Sequence, residues 1–96
     1  MNKLFEQIIL DAVTEAEKAM SKFPQPNYVV CKVAEESGEV VKDAVHCAEG
    51  RQSYSNLKQE ITQNIAMLYR LVVEGDQVIG LKPMLEQLRK EKEGEQ

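Results

Sequence analysis

Residues 28–49 read YVVCKVAEESGEVVKDAVHCAE, and the architecture follows from how that stretch is read. Val29, Val30, Val33, Ala34, Val40, Val41, Ala44, Val45 and Ala48 recur at helical spacing, which predicts one helix from about Tyr28 to Glu49. These apolar positions spread over more than one face, so the helix must be covered from two directions. Asn27 suits an N-cap before it, and Gly50 suits the first position past its end.

Working outward, Leu4, Phe5, Ile8, Ile9, Ala12, Ala16, Ala19 and Met20 predict a first helix from about Asn2 to Ser21. It stops at Phe23-Pro24-Gln25-Pro26-Asn27, where each proline lacks an N–H and biases its predecessor away from helix. Asn56 with Gln59 resembles a capping box and predicts the start of a third helix. Its stripe is Ile61, Ile65, Leu68 and Val72, widened by Ala66, Met67 and Leu71, and it closes at Gly75-Asp76. Pro83 opens a weaker fourth helix through Met84, Leu85 and Leu88, and from Arg89 the chain reads as a loose charged tail. The expectation is a single all-α domain over 1–96, a four-helix bundle. Surplus apolar surface on the middle helices predicts completion by further copies, as a homodimer or homotetramer.

Composition narrows the function classes. Of the 96 residues 43% are apolar and 29% charged, too apolar for a disordered chain. Lys and Arg total 12 against 16 Asp and Glu, a net charge of −4 without a basic stripe, so nucleic acid is not an expected partner. No apolar run approaches a membrane span, and the first residues, Met1-Asn2-Lys3-Leu4-Phe5-Glu6, lack a signal-peptide pattern, so no membrane partner and a cytoplasmic location are expected. Cys31 and Cys47 sit 16 residues apart on one helix, ~24 Å of rise against the ~7 Å limit for a disulfide. Both are expected as buried small hydrophobes.

The central helix carries carboxylates where a core helix should not. At 100° per residue, Glu36, Glu39 and Asp43 fall within about 60° of one another, with Glu35 about 40° from Glu39. Like charges at these spacings are destabilising, and burial makes them worse. Gly38 adds ~1 kcal/mol relative to Ala in a helix interior. On the third helix Glu60, Gln63 and Asn64 share a face beside the apolar stripe. Packed antiparallel, the two helices could gather Glu36, Glu39, Glu60 and Gln63 around one point. Carboxylates and amide oxygens without sulfur suit a hard cation, Mg²⁺ first and Mn²⁺ as substitute. No Gly-rich phosphate loop of either common type occurs, so any grip on a nucleotide would depend on that cation. The plainer alternative is a solvated acidic face paired with Lys32 or Lys42.

Glu35-Glu36-Ser37-Gly38-Glu39, with a second acidic helix about 20 residues on, resembles the EExxE motif of the MazG-like all-α nucleoside triphosphate pyrophosphohydrolases. The resemblance covers roughly residues 28–76. It implies a MazG-type helical fold and hydrolysis of a nucleoside triphosphate between its α- and β-phosphates. It also implies Glu36, Glu39 and Glu60 as metal ligands and Glu35 in water activation. The family's second motif is ExxD; Glu60 matches its first position, and Gln63 stands where Asp is expected, keeping an oxygen but removing a charge. Lys32 and Lys42, and less directly Arg70, are candidates to hold phosphates. A phosphoribosyl-ATP pyrophosphohydrolase is a neighbouring alternative within the superfamily. A non-catalytic helical oligomer with a relic acidic site is the alternative outside enzymes.

Overall fold

The computed structural model describes residues 1–94, in four helices: α1 (Lys3–Lys22), α2 (Val29–Ala48), α3 (Tyr54–Glu74) and α4 (Met84–Gly94). Among the described residues there is no strand, only an isolated antiparallel bridge between Asp76 and Leu81. No helix among the described residues is long and apolar enough to cross a membrane. The expected all-α class holds, with corrections at the ends of the helices.

Asn2 caps α1 through a 3.0 Å bond from Phe5 N–H to its Oδ1. α3 starts two residues before Asn56, because Ser53 accepts from Asn56 N–H at 3.1 Å and takes the cap position. Asn27 does not cap α2: its amide donates to the Phe23 carbonyl. The cap comes instead from Asp76, 46 residues away, whose Oδ2 accepts from Val30 N–H at 2.9 Å. α4 begins just after Pro83 and continues through Arg89–Gly94, the part expected to be loose; Glu95 and Gln96 lie outside the described residues.

α3 is the middle of a three-helix layer. It packs on α1 along one side and on α2 along the other, while α1 and α2 make no contact with each other. The α1–α3 seam is built from Ala12, Ala16 and Ala66, with Ile65 and Tyr69 packed against them. Small residues there let the two helices approach closely. At the α1–α2 turn, buried Arg70 pairs with Glu74 and donates to the Phe23 carbonyl, and Gln25 donates to Glu74 at 3.2 Å. Asp76, 1% exposed, also accepts from Val78 N–H at 3.0 Å, so one carboxylate ties the α3–α4 turn to the start of α2.

A layer one helix thick cannot be compact. The radius of gyration is 15.7 Å, against ~12.5 Å for a globular chain of this length. Accessible surface is 6876 Å², against ~5,600 Å² for a monomer of this mass. Cys47 is buried and donates to the Ser53 carbonyl at 3.3 Å, whereas Cys31 is exposed rather than buried, because it lies on the side of α2 turned away from α3.

Two glycines separate conformational need from open space. Gly75 has φ 70°, and a Cβ there would sit 2.2 Å from the Leu81 carbonyl oxygen, whereas a Cβ on Gly38 meets nothing within 4 Å. Gly75→Ala is expected to lower the melting temperature by the equivalent of at least ~1 kcal/mol. Gly38→Ala is expected to raise it by up to ~1 kcal/mol. Thermal denaturation of the two variants beside the parent checks both signs.

Candidate functional site

Val29, Val33, Glu36, Val40, Asp43 and Cys47 alternate by four and three residues along α2 and form the stripe that faces α3. Val29 and Cys47 at its two ends are buried, as that position requires. Glu36 and Asp43 therefore occupy seam positions that an ordinary helix pair would fill with aliphatic side chains. Asp43 is 6% exposed and forms no ion pair among the described residues.

Across the seam, Glu36 lies within hydrogen-bonding reach of Glu60 on α3. Both are half-buried. Burial pushes the Glu36 carboxyl above its ordinary value of 4.5. The hydrogen bond to Glu60 and the charge on Glu60 push it further, and the charges on Glu35 and Glu39 add to the shift. One turn along, Ser37 Oγ donates to Asn64 Oδ1 at 3.3 Å, which fixes the register of the two helices beside the pair.

The sequence-derived residues divide accordingly. Glu36 and Glu60 are brought together, and Glu39 and Glu35 lie close enough to act on Glu36 by charge, Glu39 half-buried and Glu35 exposed. Gln63 sits 60° round α3 from Glu60 on the side turned toward α1, where it lines a cleft of about 340 Å³ with Glu15, Lys18, Lys22 and Phe23. Lys32 and Lys42 are exposed. The three ion pairs among the described residues are Arg51–Glu49, Arg70–Glu74 and Arg89–Glu86, so neither lysine neutralises the acidic group. Arg70 is 2% exposed and committed to Glu74 and Phe23, which removes it from the phosphate-holding candidates.

Among the described residues no three His, Cys, Asp or Glu side chains converge to a finished metal cage. The donor chemistry nevertheless fits a hard cation. The donors are all oxygen, two carboxylates meet without a positive neighbour, and Glu35 and Glu39 are within charge range on one to two turns of helix. Asp43 and Asp76 are the two buried carboxylates that sequence reasoning left without a role. Asp43's four-and-three spacing from Glu36 was a usable signal; Asp76 gave none, because its partner is 46 residues away. Comparison with known protein families, with characterised proteins and with solved structures finds no match.

Because its folded value is raised, Glu36 favours the folded state fully below pH 4.5 and loses that contribution as pH rises through the folded value. In EDTA at pH 7, Glu36→Gln is expected to melt a few degrees above the parent, and the difference is expected to close below pH 4.5. Melting curves from pH 3.5 to 8 test this; an equal or lower melting temperature for the variant at pH 7 contradicts it.

Proposed function

We propose that the protein is a Mg²⁺-dependent nucleotide pyrophosphohydrolase, a cytoplasmic homo-oligomer that converts a nucleoside triphosphate to monophosphate and pyrophosphate. The observation that carries this reading is the Glu36–Glu60 carboxylate pair, held in the seam of an apolar helix interface with no cation beside it. The MazG-like resemblance of Glu35-Glu36-Ser37-Gly38-Glu39 and Glu60 supplies the reaction class.

Glu36, Glu39 and Glu60 are the residues that would hold the cation. When bound, Mg²⁺ neutralises phosphate oxygens and lowers the pKa of a water molecule. Glu35, exposed beside Glu36, would accept a proton from the attacking water. Lys32 and Lys42 lie on the open side of the same helix, where a lysine screens triphosphate charge without being buried.

The oligomeric part of the reading rests on surface. The chain exposes ~1,300 Å² more than a compact monomer of its mass. A standard interface takes ~800 Å² per partner. A homodimer or homotetramer removes that excess.

A second reading, a non-catalytic oligomer with a degenerate acidic site, draws on Gln63. It lacks the family's second acid and faces the α1 cleft rather than the Glu36–Glu60 pair. Incubation with Mg²⁺ and a panel of canonical and modified nucleoside triphosphates separates the two. The enzyme reading expects pyrophosphate release that falls at least ~10-fold in Glu39→Ala and is unchanged in Lys90→Ala. No release across the panel supports the second reading. Millimolar Mg²⁺ is also expected to raise the melting temperature of the parent and not of Glu36→Gln/Glu60→Gln, since a ligand of the folded state alone stabilises it.

A further inference from the structure

We infer that α4 is an exchanged arm, which lays its apolar stripe in the α1–α3 groove of a second copy of this chain. The inference rests on the oligomeric half of the proposal above and is independent of its chemistry.

α4 has 11 residues, none of them buried, and it touches only α3. A helix below ~12 residues is marginal in water without tertiary packing. Leu81, Met84, Leu85 and Leu88 line one side of the arm and its root, and each is at least 43% exposed. The root itself is fixed. Gly75 approaches the Leu81–Lys82 backbone too closely for any side chain, and Asp76 bonds to Val30, Val78 and Leu81. α4 packs on α3 alone and makes no contact with α1, so it does not cover the α1–α3 groove of its own chain.

The groove that such an arm needs is on the same chain. Phe5, Ile9 and Val13 of α1 face Ile65, Leu68 and Val72 of α3 around an almost wholly apolar hollow of about 400 Å³. Glu17, bonded to the Tyr69 hydroxyl, sits at its edge, and the arm carries Arg89, Lys90 and Lys92 interleaved with Glu86, Glu91 and Glu93, Arg89 being paired with Glu86. Ile65 to Val72 covers ~10 Å at the end of α3 from which α4 departs, within the ~17 Å reach of the arm. A two-fold axis across that end inverts one chain on the other and sets each arm beside the other's groove, so one surface pairing is made twice. The arm and the groove are both unsatisfied within one chain and satisfied together between two.

The test combines light scattering on the full chain with a photo-cross-link. The parent is expected at twice the monomer mass or a multiple of it. Leu85→Asp/Leu88→Asp, which alters only exposed side chains, is expected at monomer mass with its helical circular dichroism retained. p-Benzoylphenylalanine at position 88 is expected to yield a covalent dimer joined to residues 5–13 or 65–72 of the other copy. A monomeric parent overturns both the oligomeric reading and the arm. An oligomeric parent whose arm variant keeps its mass, or whose cross-link joins α4 to α4 or α2, overturns the arm alone.

Discussion

Two carboxyl groups, Glu36 and Glu60, meet across the α2–α3 seam with no positive side chain to balance them. A single pair of glutamines or leucines there would remove the repulsion and keep the packing. The α2 seam is conventional at its ends, where Val29 and Cys47 are buried, and carries a second carboxylate, Asp43, two turns beyond Glu36. The unbalanced carboxylates thus occupy the middle of the seam, between apolar residues at its ends. That combination is the physical basis for reading it as a cation site rather than as an accident of composition.

The layer arrangement leaves much of α3 uncovered. α3 is covered by α1 and α2 on opposite flanks, and those two helices never meet, so both broad faces of the layer stay open. One is apolar between α1 and α3, with Phe5, Leu68 and Val72 in view. Another opening, lined by Gln63, Lys18, Lys22 and Phe23, is mixed in character. The α1–α2 and α3–α4 turns are locked together by Arg70, Glu74, Gln25 and Asp76, so the end of the layer holds its shape without a large core.

Local signals were readable from the chain. The three main helices, the proline stop after α1 and the shared face of Glu36, Glu39 and Asp43 all follow from 100° periodicity and turn chemistry, because those rules act over a few residues. Long-range partners were not readable. Asp76 supplies the α2 cap from 46 residues away, and Arg70 is buried by a carbonyl 47 residues away. Neither leaves a pattern in its own neighbourhood, so the sequence points to Asn27 as the cap and to Arg70 as a cation free to hold phosphate. Gln63 illustrates the same limit at the site. Its spacing from Glu60 is known from sequence, yet which flank of α3 it borders depends on where α1 packs.

The most direct measurement is anomalous diffraction from crystals soaked in Mn²⁺. A manganese peak is expected between α2 and α3, coordinated by carboxylate oxygens of both Glu36 and Glu60. Crystals that show manganese only elsewhere, or none while the two carboxylates still face each other, would contradict it.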